Sequence, residues 1–370
     1  METKVRFFDY PKQFKAKQEA YMRIVRETFS KGSYILGSEV DAFEREFAAL
    51  TGARNAVAVG NCTDGLLLCL YALGVGSGDE IITVSHTFVA TVEVIVALGA
   101  TPVFVDIADD HNMDVDKVEG ALSQNTKAII PVQLNGRICS NMDKLVELAA
   151  ERGVSIIEDA AQSVGAKFKG KCAGTFGIAG CFSFYPAKLL GTFGDAGAIV
   201  TDKDDLADKL RMIRNHGRST HGEVVLWGMN SRMDSVHAAI LSYKLGFVKE
   251  TIKRRREIAG LYHRGLSGIS HLKLPPPPVE NDDHYDVFQN YEIEAENRDE
   301  LRRYCEENGV ETALPWGGKG VHQFEALGIK SVELPRTEQL FEKALMLPLY
   351  PELTDEQVEY VVEVVSQFYS

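Results

Sequence analysis

Two residues of this sequence have side chains suited to covalent and acid–base chemistry, and each lies just after a predicted strand. Lys188 follows the apolar run at residues 181–184 and lies between Pro186 and a glycine-rich return. A lysine among such small, apolar neighbours can have its pKa lowered and act as a nucleophile or a base, although a lone lysine is more often a surface charge. Asp159 follows the run at residues 154–157. If buried, its carboxylate needs a cationic or hydrogen-bonding partner, but it could equally be a helix N-cap.

Two further strand ends carry groups that could hold a phosphate and a flat ring. The segment Asn61–Gly65 follows a strand and begins a helix, where free backbone amides and the helix dipole favour an anion. An ordinary cap by Asn61 or Thr63 would explain the same residues. Phe88 follows the run at residues 81–84 and could lie against an aromatic ligand, or pack in the core beneath its loop.

Together the four sites describe one ligand. A phosphate, a flat ring, a cationic ring nitrogen and a carbonyl that traps an amine are the features of pyridoxal 5'-phosphate. In this interpretation Asp159 keeps the ring nitrogen protonated, so that the ring can accept electrons, and Lys188 holds the cofactor as a Schiff base.

Short β-rich runs that alternate with helical patterns would position these sites. Seven runs are predicted to be strands: residues 56–59, 81–84, 102–105, 128–132, 154–157, 181–184 and 198–201. Helical patterns between most of them indicate crossovers and a mainly parallel sheet in an α/β fold. In such sheets ligands bind at the carboxyl ends of the strands.

The organisation of the chain changes in its last third. The predicted elements there are long charged helices within residues 203–265, a polyproline break at Leu274–Pro278, a strand at residues 287–293, a helix at residues 298–308, a glycine-rich loop at residues 317–320 and a final helix at residues 354–368 with Thr354 and Gln357 as its capping box. We therefore expect a large α/β domain over residues 1–245, with an N-terminal helical segment, and a smaller α+β domain over residues 246–370.

Composition excludes several classes of protein. The 370 residues are 45% hydrophobic and 25% charged, as in ordinary globular proteins. A net charge of −13 disfavours nucleic-acid binding. The longest apolar runs are far below the ~20 residues that span a bilayer, and Met1–Lys4 contain no apolar signal region, so we expect a cytoplasmic protein that binds no membrane. The six cysteines form no CxxC pair and predict neither a disulfide framework nor a metal site.

The sequence also resembles the DegT/DnrJ/EryC1/StrS family, the sugar aminotransferases of fold type I, over nearly the whole chain. The most specific matches are Glu158–Gln162 and Ser183–Lys188. Further matches lie at residues 32–37, 61–66, 78–82, 87–91, 214–217, 228–233 and 347–351. The resemblance implies an aspartate aminotransferase-like fold, with a seven-stranded sheet domain and a smaller C-terminal domain.

The resemblance also implies roles for the residues around the ring. Lys188 and Asp159 would be the catalytic residues. Lys188 would also move a proton between the substrate carbon and carbon C4' of the cofactor. Gln162 would contact the ring hydroxyl, and Phe88 would stack on the ring.

The phosphate would have its own set of contacts. The side chains of Thr63 and Ser183 and the amides around Cys62 and Asp64 would hold it. Asn230 would reach the phosphate of the neighbouring subunit's cofactor, which makes the expected active unit a homodimer with shared sites.

Three segments depart from the family's pattern. Many members have Ser-Gly-Thr at residues 61–63, but Cys62 still offers its amide. Leu134–Arg137 replaces a Leu-Tyr-Gly turn, so substrate contacts there can differ. Pro315–His322 replaces a Tyr-Pro-x-Pro-x-His pattern. The side chains of this last segment that could contact a sugar or its diphosphate, unless they form only a structured surface loop, are Trp316, Lys319 and His322.

Two clusters of cations could bind a diphosphate. One precedes Asn230 and consists of Arg211, Arg214, His216 and Arg218. The other, Lys253–Arg256, is better explained as a solvated helix face.

The reaction implied by the resemblance is amino transfer in two halves. An amino acid, usually L-glutamate, would convert the cofactor to pyridoxamine 5'-phosphate, and a nucleotide-linked keto-sugar would then take the amine. Asn230-Ser231-Arg232 resembles a variant associated with amination at carbon 3. A dehydratase branch of the family has His where this chain has Lys188, and a non-catalytic regulator would have little reason to keep both Lys188 and Asp159.

Overall fold

All seven strands predicted for the large sheet form, each within a few residues of its run. The computed structural model describes residues 3–279, 283–329 and 332–370. Its strands are β1 (Asn55–Val59), β2 (Glu80–Val84), β3 (Thr101–Val105), β4 (Thr126–Ile129), β5 (Ser155–Asp159), β6 (Lys167–Phe168), β7 (Lys171–Cys172), β8 (Ala179–Ser183), β9 (Gly197–Thr201), β10 (Leu272–Lys273), β11 (His284–Tyr285), β12 (Tyr291–Ala295) and β13 (Ala344–Leu347).

The helices lie between and after these strands. They are α1 (Tyr10–Lys15), α2 (Gln18–Ser30), α3 (Ser38–Thr51), α4 (Cys62–Ala72), α5 (Ala90–Ala97), α6 (Val118–Ala121), α7 (Met142–Arg152), α8 (Asp204–Ile213), α9 (Ser235–Leu245), α10 (Val248–Leu266), α11 (Arg298–Glu307), α12 (Pro335–Lys343) and α13 (Asp355–Phe368). No helix in the described ranges combines the length and apolar character needed to cross a bilayer.

The large sheet has the strand order β1-β9-β8-β5-β4-β2-β3. Only β9 runs antiparallel to its neighbours, and the other strands share one direction. The expectation of a mainly parallel sheet is therefore confirmed. Since β8 and β9 are consecutive and antiparallel, residues 184–196 return directly from one strand to the other. This return carries Lys188, at the edge where the parallel strands end.

Both faces of the large sheet are covered, which explains the continuous apolar runs. Alternate residues of β1 belong to two separate cores, Ala56 and Ala58 to one and Val57 and Val59 to the other. The first core contains the aromatic residues Phe43, Phe47, Phe182 and Phe184, and the second contains leucines of α4 and α8.

A third core surrounds the small sheet of β10, β12 and β13 and includes side chains of α10, α11 and α13. This separate core supports a smaller C-terminal domain. Val5 also belongs to it, while Val248 and Ile252 of α10 pack in the core of the large sheet. Residues from each side of position 245 thus pack in the core of the other predicted domain. The boundary between residues 245 and 246 therefore stays a prediction.

The strand predicted at residues 287–293 is displaced. Strand β12 begins only at Tyr291, because the amides of Val287 and Gln289 bond instead to the carbonyls of Gly136 and Asn135, each at 2.9 Å. The residues before β12 are thereby fastened to a loop of the large domain. The capping box of the last helix is confirmed, since Thr354 and Gln357 exchange both hydrogen bonds.

Candidate active site

A cavity of about 570 Å³ lies at the carboxyl ends of β1, β5 and β8. The structure brings eight of the sequence-predicted site residues to its wall: Cys62, Thr63, Phe88, Asp159, Gln162, Ser183, Lys188 and Trp316. The other five, which do not line the cavity, are Asp64, Arg218, Asn230, Lys319 and His322.

Lys188 lies in the return between β8 and β9, and the turn that presents it is closed by its own amide, which donates to the carbonyl of Tyr185 at 2.8 Å. Burial lowers the pKa of its amine, and the negative charge of Asp159 opposes that shift only in part. The interpretation of Lys188 as an ordinary surface charge is therefore wrong. A lysine in this state has more of the neutral amine that nucleophilic and base chemistry require.

Asp159 ends β5 and is 6% exposed. Its Oδ2 accepts a hydrogen bond from the Thr91 hydroxyl at 2.7 Å, and its Oδ1 accepts one from the amide of Ala161 at 3.2 Å. Burial raises the pKa of this carboxyl, while the two hydrogen bonds and the charge of Lys188 lower it. A turn rather than a helix follows Asp159, so the N-cap interpretation is wrong. The carboxylate is oriented, but it forms no ion pair with a cation in the described part of the chain.

The start of α4 is both a capped helix and a free anion site. Asn61 Oδ1 accepts from the amide of Asp64 at 2.7 Å, which leaves the amides of Cys62 and Thr63 without a use inside the helix. A side chain at Gly197 would place its Cβ 2.4 Å from the carbonyl carbon of Asn61, so β9 approaches this helix end only because residue 197 is glycine.

Asp64 faces away from the cavity. Its Oδ2 accepts from the hydroxyl of Ser231 at 2.7 Å, and its amide is already used by the cap. The structure therefore does not support the expected phosphate contact through the amide of Asp64.

An aromatic pair forms one wall of the cavity. The Phe88 side chain is 57% exposed, so it is not a core residue beneath its loop. Its ring lies 5.8 Å from that of Trp316, measured between centroids, at 48°. The Trp316 backbone has a φ of 52°, in the left-handed region that few side chains occupy, and its indole Nε1 is buried without a hydrogen-bond partner among the described residues.

His322 and Lys319 do not accompany Trp316 into the cavity. His322 Nδ1 lies 2.6 Å from the Ser85 hydroxyl, and its Nε2 lies 3.4 Å from Oε1 of Glu338. Its ring therefore ties the loop of Trp316 to the end of β2. Lys319 is exposed on the same loop.

The two predicted cation clusters have different fates. Arg218 is exposed outside the cavity, while Arg214 is buried and donates to Glu44 Oε1 and to the carbonyl of Ala58. In the second cluster, Arg255 and Arg256 are 3% and 7% exposed. Both donate to backbone carbonyls, so the interpretation of the cluster as a solvated helix face is wrong for these two residues, whereas Lys253 is exposed as expected.

Asn230 is exposed, and its Oδ1 accepts from Nε of Arg232 at 3.0 Å. It lies in residues 214–234, which separate α8 from α9. Among the residues that the structure describes, Asn230 does not line the cavity, so its expected role depends on a second subunit.

Sequence reasoning missed a polar group that supports Gln162. Gln162 Oε1 accepts from the amide of Asn135 at 2.7 Å, and Asn290 Nδ2 donates to Asn135 Oδ1 at 2.8 Å. Asn290 and its neighbour Gln289 both line the cavity. Because they come from a segment more than a hundred residues away in sequence, no local pattern could have found them. Thr91 was missed as well, although it ends a matched family segment.

The residues present fit pyridoxal phosphate. A buried carboxylate without a strong cation suits a protonated ring nitrogen. A lysine amine with lowered pKa faces the same cavity, free amides begin α4, and an aromatic wall is exposed beside them. Each feature recognises a different part of the cofactor.

Comparison with known proteins agrees with this geometry. The sequence profile of the DegT/DnrJ/EryC1/StrS aminotransferase family matches residues 15–366. A "pleiotropic regulatory protein" of Geobacillus stearothermophilus is 41% identical, over 99% of this chain and 98% of its own. The dTDP-3-amino-3,4,6-trideoxy-alpha-D-glucose transaminase of Micromonospora megalomicea is 38% identical, over 97% of each chain.

Among solved structures, S. venezuelae DesV in complex with a ketimine intermediate has a TM-score of 0.95 and 36% identity, and the match covers 100% of this chain and 99% of that one. The chain therefore belongs to the DegT/DnrJ/EryC1/StrS aminotransferase family, and it is a pyridoxal phosphate-dependent transaminase of fold type I.

Proposed function

We propose that this transaminase moves an amino group from L-glutamate to the keto group of a nucleotide-linked sugar. The observation that carries the proposal is the cavity that Lys188 and Asp159 share, where burial lowers the pKa of the lysine and raises that of the carboxyl. A cavity of about 570 Å³ is within the range of sites for small-molecule ligands.

Each residue of the cavity has a defined task in this reaction. When bound, pyridoxal phosphate supplies a carbonyl that receives amines and a ring that withdraws electrons from the adjacent carbon. The Lys188 amine would hold that carbonyl until the amine of the donor takes its place, and the freed amine would then carry the proton removed from the α-carbon of the donor. Asp159 would bind the protonated ring nitrogen, with its carboxylate oriented by the hydroxyl of Thr91.

Other residues hold the ring and the phosphate. Phe88 would cover the ring, and Gln162 would bind its hydroxyl from a position fixed by the amide of Asn135. The amides of Cys62 and Thr63 and the hydroxyl of Ser183 would bind the phosphate.

We propose carbon 3 as the position aminated. The relative from Micromonospora, 38% identical over 97% of each chain, is named for a 3-amino sugar linked to dTDP. Its name agrees with the variant at Asn230-Ser231-Arg232 in this chain. We propose that Trp316, which has an unused indole N–H, contacts the sugar.

We also propose that two copies of the chain form the active unit. The segment that carries Asn230 exposes three apolar side chains, since Trp227, Val224 and Val225 are 86%, 66% and 55% accessible. The exposed apolar residue Ile35 adjoins the segment that carries Asn230, because its backbone pairs with that of Asp234. Burial of this surface against a second copy would bring the partner's Asn230 toward a cofactor phosphate.

The two alternative functions are less well supported. The dehydratase branch lacks the lysine that this chain has at position 188. A regulatory role is named for the Geobacillus relative, but a binding protein has no need of an amine and a carboxylate with oppositely shifted pKa values in one cavity.

The test is the absorbance spectrum of the purified, cofactor-loaded protein before and after addition of L-glutamate. We expect the band near the visible edge to shift to shorter wavelength, with release of 2-oxoglutarate in equal amount. Lys188→Ala should abolish the change, whereas Lys249→Ala, which removes an exposed lysine on α10, should not. A spectrum that ignores glutamate would contradict glutamate as donor. Screening of keto-sugars linked to dTDP, UDP or GDP would then identify the acceptor.

A further inference from the structure

The side chain of Gln289 brackets Lys188 from both sides. Its Oε1 accepts a hydrogen bond from the amide of Leu189 at 2.7 Å, and its Nε2 donates to the carbonyl of Ala187 at 2.9 Å. The two partners are the residues directly before and after the lysine. Because an amide N–H can only donate and a carbonyl can only accept, they also fix which way the glutamine amide points.

Gln289 is itself held firmly. The residue is 3% exposed, and its amide donates to the carbonyl of Asn135 at 2.9 Å. Its carbonyl accepts from the guanidinium of Arg255 at 3.1 Å. Arg255 also donates to the carbonyls of Phe288 and Leu349, so one buried cation fixes the backbone from which the side chain of Gln289 extends.

Arg255 remains a cation at neutral pH. Burial lowers its pKa to about 10, which is still well above neutrality. The guanidinium has no carboxylate bonded to it in these contacts and relies on carbonyl oxygens. Its charge therefore strengthens the hydrogen bonds to the segment before β12.

The bracket matters because the return from β8 to β9 has no sheet partner at Lys188. The lysine amide closes a turn onto Tyr185 at 2.8 Å, but the peptide groups on either side of it are satisfied by the glutamine side chain. A side-chain amide can donate and accept at once, as a neighbouring strand would. The position of the lysine thus depends on a residue about a hundred positions later in the chain.

We propose that Gln289 is a positioning residue that sets the place of Lys188 in the cavity. The inference rests on the proposed function, since it assigns Gln289 to the same transamination site. Gln289 lines the cavity but acts through the lysine. Its loss lets the segment 187–189 move and takes the amine away from its place relative to Asp159.

Two variants and one control separate positioning from stability. Gln289→Met keeps the length of the side chain and removes both hydrogen bonds. Gln289→Glu keeps an acceptor for the amide of Leu189 but cannot donate to Ala187, and it adds a negative charge. Gln133→Met is the matched control, because Gln133 is fully buried and also makes two hydrogen bonds through its side chain: it accepts from the amide of Cys139 and donates to the carboxylate of Glu158.

The first measurement is hydrogen exchange at the amide of Leu189, with and without bound pyridoxal phosphate. We expect exchange at least about tenfold faster in Gln289→Met, the factor that corresponds to loss of one buried hydrogen bond of about 1.4 kcal/mol. Gln289→Glu should keep most of the protection, and Gln133→Met should keep all of it. Equal protection in wild type and Gln289→Met would overturn the proposal.

The second measurement is the pH dependence of the reaction of the cofactor-free protein with pyridoxal, which lacks the phosphate. In Gln289→Glu the added charge should raise the pH at which Lys188 becomes reactive. In Gln289→Met the rate should fall about tenfold at every pH, while Gln133→Met should leave the profile unchanged. If Gln289→Met, like the control Gln133→Met, loses only thermal stability and keeps the wild-type rate profile, Gln289 is a structural residue and the proposal fails.

Neither measurement uses glutamate or a keto-sugar. Their outcome is therefore independent of whether the proposed donor and acceptor are correct, and failure of the proposed function would be seen separately in the glutamate spectrum.

Discussion

At the scale of single residues, the site depends on two groups that burial pushes in opposite directions. The low polarity around them lowers the pKa of Lys188 and raises that of Asp159, since burial disfavours both charged forms. In the proposed function the cofactor would supply each group with a partner: a carbonyl for the amine of Lys188, and a ring cation for the carboxylate of Asp159.

Replacement of the carboxylate tests this directly. Asp159→Asn keeps the size of the side chain and removes the charge that, in the proposed function, holds the ring nitrogen protonated. We expect the rate of the glutamate half-reaction to fall by about three orders of magnitude, or ~4 kcal/mol of barrier. Stopped-flow absorbance measures it, with Asp205→Asn on the exposed face of α8 as control. A loss smaller than about tenfold would contradict the role of Asp159.

The hydroxyl of Thr91 tunes the same carboxylate. It donates to Oδ2 of Asp159 at 2.7 Å and lowers the pKa that burial raises. Thr91→Val removes that bond, so the pKa of Asp159 should rise further. The acid limb of the rate–pH profile should then move to higher pH. Thr51→Val, which removes a buried hydroxyl on α3, should leave the limb in place, and an unmoved limb in Thr91→Val would refute the effect.

At the scale of elements, one loop presents Trp316 and a histidine holds that loop. The bond between the ring of His322 and the hydroxyl of Ser85, at 2.6 Å, joins the loop to the end of β2. The strained backbone of Trp316, with a φ of 52°, is kept in place by such anchors. His322 does not line the cavity and contributes to it only by holding this loop. The sequence could not reveal that contact.

Release of this anchor should affect one half-reaction more than the other. In His322→Ala we expect the KM for the keto-sugar to rise about tenfold, or ~1.4 kcal/mol, while the glutamate half-reaction changes little. Steady-state kinetics with each substrate varied in turn measure both. His271→Ala removes an exposed histidine that pairs with Glu296 and is the control. An equal loss in both halves would show that the loop positions the cofactor instead.

The strands show how far elements can be predicted from local sequence. All seven large-sheet strands follow from apolar runs bounded by turn residues, because helices cover both faces of the sheet; the edge strand β3, which is buried only at Val105, is the most exposed of them. The strand predicted at residues 287–293 begins later than expected, because the amides of Val287 and Gln289 donate to the carbonyls of Gly136 and Asn135 and not to a neighbouring strand. That pairing depends on a loop 150 residues earlier, which no window of local sequence contains.

At the scale of the whole molecule, a buried charge network joins the large sheet to the small one. His111, in the turn after β3, bonds to Glu292 at 2.7 Å and Glu294 at 3.0 Å on β12. The network contains four further charged or titratable groups. His86 lies beside Glu292, Lys273 and Arg336 pair with Glu294, and Asp109 pairs with both of these cations. Burial would lower the pKa of His111, but the two carboxylates outweigh it and raise the pKa to about 9.

This network predicts a pH dependence of stability. Below the unfolded pKa of 6.5 His111 is protonated in both states, and its contribution is complete. Between 6.5 and about 9 only the folded state keeps the proton, so stability falls as pH rises. The shift corresponds to about 3 kcal/mol at 1.36 kcal/mol per pH unit. Urea unfolding from pH 6 to 9.5 measures it, and His111→Gln should flatten the curve. An equal slope in both proteins would exclude His111 as its cause.

The proposed dimer gives the last prediction. Trp227→Glu replaces the most exposed apolar side chain of the segment before Asn230 with a negative charge. Burial against a second copy would desolvate that charge. We expect sedimentation to show monomers and the affinity for pyridoxal phosphate to fall. Leu327→Glu, at an exposed leucine on another loop, should stay dimeric. A monomeric wild-type protein would contradict the dimer itself.

The sequence by itself determined the cofactor and the sheet, and it singled out Lys188, Asp159 and the start of α4, which the structure brings to one cavity. Lys188, Asp159 and the start of α4 each lie within a few residues of an apolar run, and strand ends meet at one edge of a parallel sheet. The local sequence pattern therefore predicts both the element and its position in the sheet. It also left each of these residues an alternative structural role, which only its burial in the folded protein could exclude.

The tertiary structure alone decided what supports those residues. Gln289 bonds to Leu189 across 100 positions of sequence, Asn135 to Gln162 across 27, and Ser85 to His322 across 237. A buried polar group must find a partner wherever the fold brings one, and the identity of that partner is a property of packing. The charges of Arg255 and Arg256 are turned inward for the same reason, since the carbonyls of Phe288, Gln289, Leu349 and Asp286 lie outside the strands and need donors.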